Sequence, residues 1–237
     1  MNLSMKRMQA ILVKDYKEFS RNLAVSSTIL VPLVIALFYS RMGIDTIQVH
    51  FMAINMTFSL VATYIQCCLI AEEKEKNTLR NLMLSPATIP EILIGKSMLT
   101  FIITILILTG SILLTGYNPG NTLIMIIAFL LSSIFYITIG TLLGLIAKTV
   151  MESSVIVMPV FFLFSIGPFA SAFVEKYPVL KVIEWLPSTQ LINLAESLEN
   201  NFKVGDLVQP FGLISLWIII VMILTVIVYN KRMKDDI

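Results

Sequence analysis

Charge is scarce in this sequence. Only 14% of its 237 residues are Asp, Glu, Lys or Arg, and 57% are hydrophobic, whereas ordinary soluble domains carry about 25% charge and roughly 45–50% apolar residues. A mean hydropathy of +0.88 agrees, and together these values exclude a soluble globular class. The net charge of +2 is too small to point to nucleic acid. Cysteine occurs only as Cys67 and Cys68. Neighbouring cysteines rarely bridge, because their side chains diverge. They read as small buried hydrophobes, with no disulfide framework. Histidine occurs once, as His50. There is no HExxH, no Ser–His arrangement and no carboxylate pair inside an apolar run, so no catalytic, cofactor-binding or metal-ligating residues are expected. Ion and proton pumps place Asp, Glu, Lys or His inside their spans, and these runs are almost free of them. Ile94-Gly95-Lys96-Ser97 looks like the tail of a phosphate-binding loop. That motif needs a glycine five residues before Gly95, where Pro90 stands, and a preceding strand. A nucleotide site is therefore excluded.

Long apolar runs are present in quantity. Residues 22–40, 47–70, 97–116, 122–147, 154–173 and 210–230 approach or exceed the roughly 20 residues that a ~30 Å hydrocarbon core requires. Residues 1–21 precede them with Met5, Met8, Leu12, Phe19 and Leu23 at helical spacing among Lys6, Arg7, Lys14, Lys17 and Arg21. That pattern predicts a basic amphipathic helix lying along the membrane surface, followed by a retained span rather than a cleaved signal. The predicted fold is an all-α membrane protein forming a single transmembrane domain over residues 1–237. With the N-terminus inside, thirteen Lys and Arg fall on inner segments and four on outer ones. The positive-inside rule then places both termini in the cytoplasm.

Residues 71–96 hold eight of the chain's 32 charges between two nearly uncharged runs. The charge count makes this island cytoplasmic. Residues 71–84 predict a short helix with Leu79, Leu82 and Met83 on its apolar side, ended by Pro86. Thr88 and Glu91 have the spacing of a capping box that starts the third span. Residues 174–209 form the one long outer loop. Pro178 opens a short helix there with Leu180, Ile183 and Leu186 inward. Ser188 is placed to cap a second, with Leu191, Leu194, Ala195 and Leu198 on one side. Tyr177 and Trp185 suit an interface, and both amphipathic helices are expected to dip at the outer membrane surface. In the second span, Asn55, Ser59, Thr63 and Gln66 share one helix face. In the fifth, Met158, Phe161, Phe162, Phe164, Ser165 and Phe169 make an aromatic-rich surface. The two faces either serve interhelical hydrogen bonding and packing or line a path for a lipophilic or amphipathic substrate. Gly140 and Gly144 form a small-xxx-small pair suited to close helix packing.

The island EEKEKNTLRNLMLSPATIPEILIGK resembles the cytoplasmic loop of ABC type-2 exporter permeases, through Glu72, Glu73, Thr78, Leu79, Leu82, Pro86, Glu91, Gly95 and Lys96. The amphipathic N-terminal helix, six spans and long outer loop are similar to that family in layout. Two departures are Asn77, where the family commonly has glycine, and the outer segment after Pro187, which lacks an arginine often found there. The resemblance implies that residues 71–84 are a coupling helix seated on a separate ATPase, with Glu72, Glu73, Glu75, Thr78, Leu79, Arg80 and Leu82 at the contact. It implies two ATPase subunits, ATP and Mg bound by them, and a second permease half, most simply a homodimer. The chain would then be the non-enzymatic membrane subunit of an exporter of drugs, lipids or peptides in a bacterial plasma membrane. An ATP-independent channel or carrier, or a membrane immunity or scaffold protein, is the alternative.

Overall fold

The computed structural model describes residues 5–76, 78, 89–174, 176–200 and 203–235. They are almost wholly helical, with no strand among them. The N-terminal helix, Met5–Arg21, precedes six helices long and apolar enough to cross a membrane: Leu23–Met42, Ile47–Glu75, Glu91–Thr115, Thr122–Ile146, Val150–Ser171 and Val204–Lys231. Short polar side chains start several of them by accepting orphan backbone N–H groups. Asn22 caps the first span through Val25 N–H (3.3 Å), Thr46 the second through Val49 N–H (3.4 Å), Asn121 the fourth through Ile124 N–H (3.2 Å) and Thr149 the fifth through Glu152 N–H (3.1 Å). Gly43 ends the first span at φ +67°, the left-handed conformation that glycine adopts without a Cβ penalty.

The second span is the axis of the bundle. Of its most apolar stretch 89% is buried, against 17% in the first span and 22% in the sixth. A helix that is apolar on all sides belongs in a core or in lipid; the second takes the core and the others leave one face outward. The fourth span reaches it through the glycine pair. A Cβ on Gly140 would lie 2.5 Å from the Thr63 carbonyl oxygen, and one on Gly144 would lie 2.9 Å from that of Cys67. Both contacts are backbone and cannot swing aside. Gly140→Ala is expected to destabilise the chain by about 1–3 kcal/mol, the usual range for overpacking. Thermal unfolding of the purified protein checks this, and an unchanged midpoint would show that the helices separate freely.

Two of the spans are not regular α-helix. Thr57–Ile65 in the second is π-helical. The fifth carries Pro159 inside Val150–Phe161, then a π segment, Phe162–Ile166, and a 3-10 turn, Gly167–Phe173. Proline removes one backbone donor, and π segments are rare in proteins, most often marking functional positions. The two irregular stretches meet, with Ser165 Oγ on Ser59 Oγ (3.0 Å) and donating to the Asn55 carbonyl (3.2 Å).

The two helices of the long loop at the far end differ in burial: Val179, Val182 and Trp185 of the first are exposed, and most of the second is buried. Pro178–Trp185 is a 3-10 helix and Pro187–Glu199 an α-helix. Ser188 is not its cap; Leu186 is, with Pro187 in the first turn. Leu191, Leu194, Ala195 and Leu198 are buried as the pattern predicts, but so are Ser188, Thr189 and Gln190. The Trp217 indole donates to the Trp185 carbonyl at 2.9 Å, and Trp217 lies nine residues into Val208–Asp235, about 14 Å along the helix at 1.5 Å per residue. That bond ties the first loop helix to the sixth span. The second loop helix fills space between the second, fourth, fifth and sixth spans.

Candidate functional site

The charged end of the bundle is built on the N-terminal helix. Its buried stripe is Met8, Ile11, Asp15 and Phe19. Met5 and Leu23, expected on the apolar face, are 72% and 77% exposed, and Leu12 is half-buried. The face is rotated because the head of the third span admits Ile11 closely. A Cβ on Gly95 would lie 3.1 Å from Ile11 Cβ. That approach carries Asp15 inward to Lys96.

Lys96 is almost fully buried, and its ammonium lies 3.1 Å from Asp15 Oδ1 and 3.0 Å from Glu73 Oε1. Lys14 pairs with the same Glu73 oxygen, and the Thr78 hydroxyl donates to Glu73 Oε2. Two carboxylates and two ammonium groups thus balance in one place, joining the N-terminal helix, the end of the second span and the head of the third. A second tie sits about two turns back along the N-terminal helix, where Arg7 meets the buried Glu91 carboxylate at 3.0 Å. Lys76 links Glu72 (2.6 Å) to Glu18 (3.5 Å). Glu72 holds the Lys76 pKa above its ordinary value by accepting that hydrogen bond. Asp15, Glu18 and Glu73 converge closely enough to suggest a cation site, but the ammonium groups of Lys14 and Lys96 already stand against Glu73 Oε1 and Asp15 Oδ1.

The charged end is also tied to the fourth and fifth spans. Lys74 donates to the carbonyls of Leu145 (2.7 Å) and Ala147. Glu75 Oε2 accepts the Val150 N–H at 2.9 Å. Of the residues expected at an ATPase contact, Glu72, Glu73, Glu75 and Thr78 therefore make bonds within the chain. Residues 71–75 are the last turns of the helix Gln66–Glu75, continuous with the second span, so no separate helix starts at Ala71. Leu79, Arg80 and Leu82, like Pro86 and Thr88 of the expected turn, lie outside the described residues.

Burial pushes the Asp15 carboxyl up to about 6 from 3.8, against the pull of Lys96. A raised acid pKa contributes stability that is complete below the unfolded value and lost as pH rises through the folded one. Asp15 is therefore expected to favour docking of the N-terminal helix less at pH 7 than at pH 4, by up to about 3 kcal/mol. Comparing the unfolding of the native chain and Asp15→Asn across that range isolates the effect; a constant difference between them would contradict it.

The polar face of the second span is closed. Asn55, Ser59, Thr63 and Gln66 are all fully buried. Thr63 donates to the Tyr136 carbonyl (3.1 Å), Gln66 donates to Thr141 (3.1 Å), and Thr100 donates to Gln66 (2.6 Å). Ser165 joins this face through Ser59. Met158 and Phe162 do not; they are exposed on the bundle's outer surface, with Phe161 half-buried. Asn55 is the exception among the polar four, since neither its amide nitrogen nor its oxygen has a partner among the described residues.

Sequence reasoning missed Lys14, Asp15 and Lys96 as members of the site. The available signal was Asp15, a charge on the face of an amphipathic helix otherwise read as apolar. Comparison with protein-family models matches residues 4–229 to the model described as ABC-2 family transporter protein. No curated protein matches the chain.

Proposed function

The chain belongs to the ABC-2 family of transporter proteins, and from that membership we propose that it is the permease half of an exporter of lipophilic or amphipathic molecules. Membership makes it the multi-pass membrane subunit of an ABC transporter, driven by a partner ATPase. In this reading the partner binds and hydrolyses ATP with Mg. Two ATPase subunits engage two permease halves, most simply two copies of this chain. The charged end faces the cytoplasm of a bacterial cell, with both termini inside, as the excess of Lys and Arg there supports.

One observation carries the proposal: the buried junction of Lys96, Asp15, Glu73 and Lys14. It joins both ends of the charged loop to the N-terminal helix. A push on residues 76–91 would then move three helices together. The closed polar face supports the same reading. Asn55 is a buried amide without a partner, a costly arrangement that a second, open conformation would relieve by offering it a substrate group. An ATP-independent channel has less support, because Thr63 and Gln66 are hydrogen-bonded to neighbouring spans rather than lining an opening.

Co-expression with a candidate ATPase tests the assignment. Arg80→Glu with Leu82→Asp is expected to abolish co-purification while the permease alone stays folded. Undiminished assembly would remove the loop's coupling role.

A further inference from the structure

We propose that the far-end cleft beside the helix Pro187–Glu199 binds the primary ammonium head of an amphipathic amine. This inference rests on the exporter reading and names the class of substrate it would carry. Thr189, Ile192, Asn193 and Glu196 follow one another at three- and four-residue steps, so they share one face of that helix. The face lines a cavity of about 70 Å³ together with Ser171 and Gln48. Gln48 Nε2 donates to Glu196 Oε1 at 2.9 Å.

The lining is matched to a hydrogen-bond-donating cation. Glu196 is its one ionisable side chain, and no Lys or Arg pairs with it among the described residues. Thr189 is 4% exposed, and its hydroxyl has no partner among the described residues. Ser171 spends its proton on the Pro168 carbonyl at 2.6 Å, leaving oxygen lone pairs toward the cleft. A carboxylate and two hydroxyl oxygens thus offer three acceptors, and an ammonium group has three donors and no acceptor. An anion would find no positive charge there. A divalent cation would find one carboxylate where it needs a fuller oxygen shell. The volume is about half that of a cavity that takes benzene, so a head group fits and an alkyl tail must lie outside the cleft.

The test uses the full chain in lipid nanodiscs without an ATPase, with radiolabelled octylamine as probe and empty nanodiscs as the correction for partitioning. The expected result is saturable binding that excess octylamine displaces and that octyltrimethylammonium or octanol does not. Glu196→Gln is expected to weaken it roughly tenfold or more, the scale of a lost charge-assisted hydrogen bond. Thr189→Val should weaken it about threefold by the loss of a neutral one. The glutamine keeps an oxygen for Gln48, and an unchanged unfolding midpoint verifies its fold. Equal binding by Glu196→Gln, equal displacement by octyltrimethylammonium, or uptake no greater than in empty nanodiscs would overturn the proposal. Any of these would leave the exporter reading standing, since the measurement involves no ATPase. Conversely, failure of ATPase co-purification would leave the cleft open to this assay.

Discussion

Lys96→Met is expected to destabilise the chain by about 3–5 kcal/mol, the cost of removing one partner from a buried ion pair and leaving charge uncompensated. Lys96 is 1% exposed and faces Asp15 and Glu73, themselves 0% and 1% exposed. Without it, Lys14 alone must balance two buried carboxylates. A second substitution should therefore recover much of the loss. In Asp15→Asn with Lys96→Met, the pair Lys14–Glu73 remains, and the junction is again neutral. Thermal unfolding of the two variants reads both effects. If the double variant were less stable than the single one, Asp15 would be contributing something other than charge balance, and the electrostatic account of the junction would fail.

Asn55→Leu is expected to act in opposite directions on stability and on transport. The amide is fully buried with neither atom partnered, and an unsatisfied buried polar group costs about 1–3 kcal/mol. A side chain of similar size without polar atoms removes that cost. In a chain of this length each 1 kcal/mol raises the unfolding midpoint by roughly 2–4 °C. Transport should fall at the same time, by about tenfold for the loss of one hydrogen bond made only in the open conformation. The neighbouring π segments, Thr57–Ile65 and Phe162–Ile166, are where a change of register between two helices would take place. A more stable protein with full transport would mean that Asn55 is a packing defect and no part of the path.

What the sequence made legible follows the strength of each physical signal. Six spans rest on long apolar runs, and the amphipathic helix before them and the polar set Asn55, Ser59, Thr63 and Gln66 on helical spacing; the spans and the helix are present, with the helix's buried face rotated, and the polar four are buried. Gly140 and Gly144 indicated a close approach, and the second span lies against both. The sequence could not say which helices face lipid, because a membrane span is apolar on both its packed and its lipid side. Met158 and Phe162 were grouped with Ser165 for that reason, though they point outward. Lys96 was read as part of the family-like loop and not as an ion-pair partner, since Asp15 and Glu73 stand 81 and 23 residues away in the chain. Only the folded arrangement brings them to 3 Å. The start of the second outer helix was misread because Ser188 has the spacing of a cap, whereas Pro187 opens the helix and Leu186 precedes it.

The central claim is that this junction transmits the work of the ATPase to the spans. The direct measurement is substrate moved per ATP hydrolysed in reconstituted transporter, for the native chain and for the neutral double variant Asp15→Asn with Lys96→Met. The account predicts that the variant still assembles and hydrolyses ATP, while transport per ATP falls by roughly tenfold or more, as expected for loss of the charge-assisted tie between the N-terminal helix and the third span. A native ratio of transport to hydrolysis in a folded, assembled double variant would contradict it.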